Sequence, residues 1–530
     1  MESESSTLPH PLLLFIEGNA HMMASKPEQG AACYRRAAER GLAVAQLYLG
    51  LCYANGAGVE RDEREAIRWI RQAAEQGDRE AQLQLGVMFA EGRGTARDPG
   101  EAARWFESSA KSGLPDAQFK LAQAYDAGNG VPRDLEAAFR WFRSAARRGD
   151  PEAQFKLGWR YANGNGVGRD HGRALRWFRR AARQGHVRAQ TQLGWCLETG
   201  TGGVRDERRA VCWYRRAARA GESIAQYNLA LAYANGRGVE RDARRAVRWY
   251  RRSAKQGDVD AQLKLGWCYH NGNGVTRDER RAVRWFRSAA KQGHAKAQTQ
   301  LGWCHETGTG TPKSEARAVR WYRRAAQQGD TIAQYNLALA YANGKGVTQS
   351  LARAARWYRA SARRGDVDAQ FKLGWCYTNG KGVLRDPSRA VRWFRKAARQ
   401  GFVKAQTQMG WCLETGTGVP KDERAAVRWY RKAARAKPTG QRGDAIAQYN
   451  LALCYAHGRG VPVNAERAFR WYSVSAEQGD PDAQLKLARC YAAGLGVPRD
   501  DQLAVQWFRK AARGGNKTAR DELAARGVPE

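Results

Sequence analysis

Residues 261–296 read AQLKLGWCYHNGNGVTRDERRAVRWFRSAAKQGHAK, and this stretch decides the fold because it recurs along the chain. Its opening Ala-Gln dipeptide is found at Ala45, Ala81, Ala117, Ala153, Ala189, Ala225, Ala261, Ala297, Ala333, Ala369, Ala405, Ala447 and Ala483. The step is 36 residues every time but one, after Ala405, where the unit is six residues longer. A fixed period of this size indicates a solenoid of stacked units, none of which can bury its apolar face alone.

Each unit predicts two helices joined by a glycine turn. Apolar residues recur at helical spacing over 261–270, a segment that we call helix A. Gly272 and Gly274 end helix A, because glycine takes a positive φ without steric cost. Asp278 is the predicted N-cap of the second helix, helix B, which Gly293 closes. Asp, Ser or Asn occupies this N-cap position in all thirteen units, so the arrangement is shared throughout.

Small residues predict close packing of the two helices. Gly266, Ala282, Ala289 and Ala290 allow the helices to approach, and Trp285 is predicted to fill the space between them. Trp occupies the position of Trp285 in all thirteen units. We interpret these tryptophans as core residues and not as a ligand site.

The repeated pattern Ala-x-x-x-Leu-Gly-x-x-Tyr-x-x-Gly-x-Gly-Val-x-x-Asp-x-x-x-Ala-x-x-Trp-(Phe/Tyr)-x-x-Ala-Ala-x-x-Gly resembles the Sel1-like repeat, a relative of the tetratricopeptide repeat. The resemblance implies an all-α protein, a right-handed superhelical α/α solenoid of about thirteen repeats. It also implies an adaptor, since members of the family typically act in signalling, protein quality control or host–microbe contact. Fold alone does not fix function, so the partner stays open.

The repeats predict three segments. Residues 1–44 form an N-terminal segment with a degenerate capping repeat, 45–518 hold the thirteen repeats, and 519–530 form a partial C-terminal repeat or cap. The insert near 436–441, which contains Pro438, is expected to lengthen a loop between helix B and the next helix A.

A second, longer period groups the repeats in threes. The segments QFKLGW at 154, QTQLGW at 190 and QYNLAL at 226 return in close copies at 262, 298 and 334, and again at 370, 406 and 448. Duplication of three-repeat blocks explains this pattern. The triplets either present similar surfaces to an extended or repetitive partner, or simply lengthen the chain.

Helix A is the first candidate for partner binding. By analogy with related helical repeats it lines a concave face. The seventh residue of the unit is Trp in six units and Val, Gln, Leu or Arg in others, which argues against full burial. Trp is a common interface anchor, and Asn can pair with a peptide backbone. The predicted binding residues are Trp159, Asn163, Trp195, Trp267, Asn271, Trp303, Trp375, Asn379 and Trp411. The alternative is that these tryptophans pack between neighbouring repeats.

Helix B carries much of an unusual positive charge. The chain has a formal net charge of +38 and 90 Lys and Arg residues. Stacking is expected to align the basic side chains into a convex ribbon that could bind RNA, DNA or another polyanion. The candidate residues are Arg176, Arg179, Arg180, Arg248, Arg251, Arg252, Arg392 and Arg395. The alternative is a solvated helix face without a ligand.

Catalysis, metals and cofactors find no support in the sequence. We see no nucleophile–base pair, no metal spacing among the eight histidines, and no strand before the Gly-x-Gly turns that would suggest a nucleotide site. Cysteines fall at most one per repeat in helix A, where stacking keeps them too far apart for disulfides. We therefore expect no enzyme, no cofactor and no metal.

The sequence predicts an intracellular, cytoplasmic protein with no membrane span. Leu12–Ile16 is apolar but short, and Glu2 and Glu4 precede it where a signal peptide carries basic residues. No run approaches the roughly 18 apolar residues that cross a bilayer. We expect a non-catalytic scaffold that binds extended partner segments in the concave groove, with polyanion binding by the convex arginines as the alternative.

Overall fold

The computed structural model describes residues 10–435 and 443–529, and every regular element in that part of the chain is an α-helix. The all-α prediction is confirmed. The predicted insert near 436–441, with Pro438, lies outside the described residues. The chain divides into two compact units, 1–265 with 273–275 and 266–272 with 276–530, and the division falls within α15 (Val259–Asn271).

The first unit consists of seven helix pairs and the beginning of α15. These are α1 (Pro11–Met23), α2 (Pro27–Glu39), α3 (Ala43–Asn55), α4 (Glu63–Glu75), α5 (Arg79–Glu91), α6 (Pro99–Lys111), α7 (Pro115–Ala127), α8 (Leu135–Arg147), α9 (Pro151–Asn163), α10 (His171–Arg183), α11 (Val187–Thr199), α12 (Glu207–Arg219), α13 (Ser223–Asn235) and α14 (Ala243–Lys255). Each helix packs against the next one along the chain.

The second unit continues the same alternation from the end of α15. Its helices are α16 (Glu279–Lys291), α17 (Ala295–Thr307), α18 (Glu315–Gln327), α19 (Thr331–Asn343), α20 (Leu351–Arg363), α21 (Val367–Asn379), α22 (Pro387–Arg399), α23 (Val403–Thr415), α24 (Glu423–Ala434), α25 (Ala445–His457), α26 (Ala465–Glu477), α27 (Pro481–Ala493), α28 (Asp501–Arg513) and α29 (Lys517–Ala525). Odd-numbered helices from α3 to α27 are helix A of a repeat, and even-numbered helices from α4 to α28 are helix B.

The helix boundaries follow the capping residues. Asp62 accepts hydrogen bonds from the backbone N–H groups of Arg64 (2.8 Å) and Glu65 (3.1 Å), which starts α4 as predicted. Helix A, however, begins two residues before the Ala-Gln dipeptide. Its N-cap is a residue whose role the sequence pattern did not reveal; Asp330, for example, accepts from the N–H of Ala333 at 2.8 Å.

The two glycines of the turn have different tasks. Gly380 ends α21 in the left-handed conformation, with φ of 67°. Gly382 also has a positive φ, 74°, and in addition a Cβ there would lie 2.0 Å from the carbonyl oxygen of Leu351. Because Leu351 is the first residue of the preceding helix B, the second glycine lets the turn of one repeat touch the helix of the repeat before it.

The Ala-Gln dipeptide marks a buried amide that joins successive repeats. The Gln154 side chain donates from Nε2 to the carbonyl oxygen of Ala146, at the end of the preceding helix B, at 3.1 Å. Its Oε1 accepts from Nε2 of Gln184 at 2.8 Å, at the end of its own repeat's helix B. The first bond recurs in the two units, for instance from Gln370 to Ala362 at 3.2 Å. One glutamine therefore satisfies a helix end that would otherwise be buried without a partner.

The predicted place of the helix-B tryptophan is wrong in one respect. The side chain that fills the space beside Gly266 is Phe286, since a Cβ on Gly266 would lie 2.5 Å from Phe286 Cε1. Phe286 is fully buried. Trp285 is only half-buried, because helical geometry turns consecutive residues about 100° apart. The aromatic residue after the tryptophan forms the centre of the core, and the tryptophan covers its edge.

We predict that Ser112→Gln stabilises the first unit. Gln82 Oε1 is buried without a hydrogen-bond partner, and Ser112 lies 30 residues further along, the separation at which Gln184 reaches Gln154. The new amide should donate to Gln82 and raise the free energy of local opening in α5 by about 1 kcal/mol, measured by amide hydrogen exchange. Ser112→Glu lacks the donor and should give no gain; an equal gain from it would contradict the assignment.

We predict that Gly382→Ala destabilises the second unit more than Gly401→Ala does. Both glycines have a positive φ, 74° and 86°, but a Cβ at Gly401 meets no atom within 4 Å. The added overlap at Gly382 should cost about 1–3 kcal/mol beyond the shared backbone strain. Thermal unfolding of the two variants side by side measures this difference, and equal midpoints would refute the close approach.

Candidate partner-binding surface

In each of the two units, partly exposed tryptophans lie at the seventh residue of the repeat, counted from the Ala of the Ala-Gln dipeptide. We call these tryptophans, with the fourth and eleventh residues of each repeat, the helix-A face. The exposed fractions are 41% for Trp159, 42% for Trp195, 36% for Trp267, 44% for Trp375 and 39% for Trp411. Trp303 is half-buried and somewhat less exposed. Large aromatic side chains with this exposure leave substantial apolar surface facing solvent.

These tryptophans rest on the core. The Trp159 ring lies 6.4 Å from the Phe178 ring and 6.3 Å from the Phe155 ring, both with nearly perpendicular planes. In the second unit the Trp267 ring lies 5.6 Å from Phe286 in the same manner. Edge-to-face contacts of this kind hold the indoles in one orientation while their outer faces stay exposed.

Packing between repeats, the alternative reading, occurs at Trp303. The His270 ring lies 5.4 Å from Trp267 and 5.5 Å from Trp303, which belongs to the next repeat. His270 Nδ1 is 2.7 Å from a carboxylate oxygen of Glu279. The histidine therefore links two tryptophans and fixes their spacing.

The asparagines predicted to bind a peptide are partly engaged by their own helix. Nδ2 of Asn163 donates to the Trp159 carbonyl at 3.0 Å, and Nδ2 of Asn379 donates to the Trp375 carbonyl at 2.9 Å. Both side chains are exposed, as is that of Asn271. The amide oxygens of Asn163 and Asn379 make no hydrogen bond with the described residues. These side chains therefore cap helix A beside the tryptophan and keep one acceptor for a ligand.

The middle repeat of each three-repeat block carries a carboxylate beside this face, which the sequence analysis missed. Tyr430 donates its hydroxyl to Glu414 Oε2 at 2.7 Å, and Arg459 donates to Glu414 Oε1 at 2.9 Å. Burial and the neighbouring carboxylate raise the pKa of Tyr430, which keeps the hydroxyl a donor. The equivalent pairs are Tyr214 with Glu198 at 2.8 Å and Tyr322 with Glu306 at 2.6 Å. The signal was present as a Glu at the tenth position of each middle repeat.

Helix B presents cations stacked on its tryptophans. The charged atom lies over the ring of the tryptophan three residues earlier, within reach of a cation–π interaction. The pairs and distances are Arg180 on Trp177 (4.6 Å), Arg216 on Trp213 (4.7 Å), Arg252 on Trp249 (4.6 Å), Arg324 on Trp321 (4.9 Å), Lys396 on Trp393 (4.5 Å), Lys432 on Trp429 (4.7 Å) and Lys510 on Trp507 (3.9 Å).

The predicted basic residues do not all face solvent equally. Six are exposed: Arg176, Arg179, Arg180, Arg248, Arg252 and Arg392. Arg251 and Arg395 are half-buried. They share a repeat position with Arg359, which donates to the Tyr377 hydroxyl of the next repeat at 2.9 Å. Arg179 also shares this position, which lies at the edge between repeats, and the other five candidates form the outer helix-B face.

Metal-binding chemistry is confined to one small group in the described residues. Glu17, His21 and Cys33 bring their ligand atoms within 4.8 Å of one another. His21 Nε2 is 3.8 Å from Glu17 Oε1, and Cys33 is buried. Sequence spacing did not indicate this group, because α1 and α2 bring its members together only in the fold. Three such residues alone do not define a site.

The helix-A cysteines are free thiols. Burial raises the pKa of Cys412 to about 11 and likewise that of Cys52. These thiols remain protonated at neutral pH and behave as small core residues. Among the described residues, the helices are also too short and too polar for any of them to cross a membrane.

Comparison with solved structures finds a similar protein over nearly the whole chain. The crystal structure of c5321, described as a protective antigen of uropathogenic Escherichia coli strains with an SLR fold, is 31% identical, with a TM-score of 0.68. The match covers 93% of this chain and 97% of that one. A Sel1 repeat protein from Oxalobacter formigenes is 32% identical over 46% of this chain and 96% of its own, with a TM-score of 0.42. No functionally curated protein matches.

The sequence model of the Sel1 repeat matches fourteen segments. They are residues 18–42, 43–78, 79–114, 115–150, 151–186, 187–222, 223–258, 259–294, 295–330, 331–366, 367–402, 403–438, 445–480 and 481–516. The first of them falls in the segment predicted as a degenerate cap. With the repeat matched from residue 18 to 516 and the helix pairs arranged accordingly, the chain belongs to the Sel1 repeat family.

Proposed function

We propose that this chain is a non-catalytic scaffold that binds extended segments of partner proteins along the helix-A face. Sel1 repeat proteins generally mediate protein–protein interactions, and their scaffolds are generally not enzymes. The observation that supports the finer proposal is that five of these tryptophans, in the two units, are 36–44% exposed, and that Trp159 and Trp267 are held on the core by ring contacts.

The physical case for this face is preorganisation. A ring that is already fixed loses little conformational freedom when a partner covers it, so more of the contact energy appears as affinity. Asn163 and Asn379 place an amide oxygen beside such a ring, where it can accept from a peptide N–H. An extended segment can both cover the tryptophan ring and donate to the asparagine oxygen, because it offers alternating side chains and backbone N–H groups.

We predict that removing the tryptophans weakens segment binding. Peptides selected from a random display library on the wild-type protein serve as probes. The triple variant of Trp267, Trp303 and Trp375 to Ala should weaken their binding at least tenfold, since interface tryptophans commonly contribute about 2 kcal/mol or more. Fluorescence anisotropy titration measures the affinity.

A charge-reversed variant on helix B serves as the matched control. Arg176→Glu, Arg248→Glu and Arg392→Glu change exposed residues that do not stack on a tryptophan, so the same peptides should bind within about twofold. If the arginine variant loses binding and the tryptophan variant keeps it, the proposed face is wrong.

The second candidate function is polyanion binding by the helix-B face, and one observation favours it. Arg317, Arg320 and Arg324 surround Trp321 and line a hollow of about 230 Å³. Guanidinium groups held beside an aromatic ring suit phosphates and bases.

We predict a salt-dependent signature if this second function operates. Labelled single-stranded RNA and duplex DNA should bind submicromolarly at physiological salt, with a steep dependence on salt concentration. The three helix-B reversals should reduce both the affinity and that dependence, while the helix-A tryptophan variant should change neither. Binding confined to low salt would reject the function, since any surface of this charge does that.

A further inference from the structure

An open pocket of about 340 Å³ lies near the end of the repeats, where α25, α26 and α27 meet. It is lined by Ala456, Val463, Tyr472, Lys486, Arg489 and Leu495, among others. Lys486 and Arg489 are the fourth and seventh residues of the repeat that starts at Ala483, so the pocket lies on the helix-A face. Its lining is mostly apolar, and Lys486 and Arg489 both come from α27.

One repeat earlier, the protein fills the equivalent place with its own carboxylate. Glu414 accepts from the Tyr430 hydroxyl at 2.7 Å and from Arg459 at 2.9 Å. In the repeat that follows, the position of Glu414 is occupied by Ala456, while the tyrosine is retained as Tyr472. The same pair occurs as Ala342 with Tyr358, where the next repeat carries Trp375; at this pocket the next repeat carries Arg489 in place of that tryptophan.

The tyrosine hydroxyl has no partner there. Tyr472 is only 3% exposed, and its hydroxyl makes no hydrogen bond with any described residue. Burial raises the pKa of Tyr472, so the hydroxyl stays protonated and available as a donor. The hydroxyl can therefore donate to an acceptor that a ligand brings into the pocket.

The charge of the pocket suits an anion. Arg489 donates from Nε and Nη2 to Glu522 Oε1 at 3.2 and 2.9 Å, which holds the guanidinium in place and leaves further N–H groups for a ligand. Lys486 adds a second cation. Cys490 adds no negative charge, because burial raises its pKa to about 11.

The rim of the pocket is apolar where the other repeats are polar. Val463 is 66% exposed and Leu495 is 54% exposed. At the position of Val463 the other twelve repeats have Arg, Lys or Gln. At the position of Leu495 the other repeats have Arg, Asn, Lys or Thr, and one has Ala. Two exposed apolar side chains at one pocket mark an interaction surface.

We infer that this pocket binds a carboxylate of a partner polypeptide, with Tyr472, Lys486 and Arg489 receiving the carboxylate and Val463 and Leu495 contacting an adjacent apolar side chain. The inference rests on the proposed function, because it assigns the chemistry recognised at one end of the helix-A face. The carboxylate can come from a glutamate side chain, as in the intramolecular pair, or from the C-terminus of the partner.

Three fluorescent peptide pools with randomised neutral flanks test the inference and its two sources. The first contains an internal Leu-Glu and an amidated C-terminus. The second ends in Leu with a free carboxylate, and the third contains Leu-Gln and is amidated. Anisotropy titration should show binding of the first or the second pool, which identifies the source, and at least tenfold weaker binding of the third.

The decisive variant is Ala456→Glu, which restores the internal carboxylate. Its carboxylate should accept from the Tyr472 hydroxyl, as Glu414 accepts from Tyr430, and thereby reduce binding of the carboxylate pool at least tenfold. Ala342→Glu is the matched control, since it places the same charge at the equivalent position of another repeat, beside Tyr358, and should leave binding unchanged. Circular dichroism confirms that both variants keep their helices.

Tyr472→Phe provides a second test that does not block the pocket. Phenylalanine occupies the same repeat position at Phe394 and Phe508, so the fold accepts it. Loss of a hydrogen bond to a charged group should weaken binding of the carboxylate pool about tenfold. Equal binding of the glutamine pool, unchanged binding by Ala456→Glu, or no binding of either carboxylate pool would overturn the inference. Peptides selected on the tryptophans would still bind in those cases, so the proposed function would stand.

Discussion

The structure depends on a buried glutamine amide at the second position of each repeat. Gln154 donates from Nε2 to the Ala146 carbonyl at the end of one helix B. Its Oε1 accepts from Gln184 at the end of the next helix B. A helix end leaves carbonyl groups unsatisfied, and a stack of repeats would bury those groups between helices. A short, neutral side chain with a donor and an acceptor resolves this problem locally. Each repeat can therefore stack on the one before it with the carbonyl groups at the buried helix end already hydrogen-bonded.

A second constraint is the close approach that glycine permits. Gly266 admits the Phe286 ring between helices A and B, and Gly382 admits the turn against the preceding helix B. These contacts fix the separation of helices within a repeat and between repeats. Since the inner positions make these contacts, the outward positions of helix A are free to vary in sequence. The tryptophans, the carboxylates and the pocket all lie at such positions.

The grouping of repeats in threes acquires a physical meaning in this setting. The middle repeat of each block carries a glutamate that accepts from a core tyrosine, as Glu414 does from Tyr430. The pairing satisfies the hydroxyl and leaves the adjoining surface closed. Beside Tyr472 the position of this glutamate is occupied by Ala456, which offers no acceptor, and a pocket lies there. Where the same pair occurs as Ala342 with Tyr358, the next repeat supplies Trp375, and at the pocket it supplies Arg489 instead.

The sequence by itself determined the fold class, the repeat boundaries to within a few residues, the turn glycines and the N-cap residues of helix B. It could do so because capping and glycine conformations are local and are repeated thirteen times. Only the tertiary structure decided which aromatic residue fills the core, since Trp285 and Phe286 are neighbours with equally apolar side chains and differ in direction. It also decided the pairing of Glu414 with Tyr430 and the opening beside Tyr472. Those features depend on side chains that meet across helices, and spacing along one helix does not encode them.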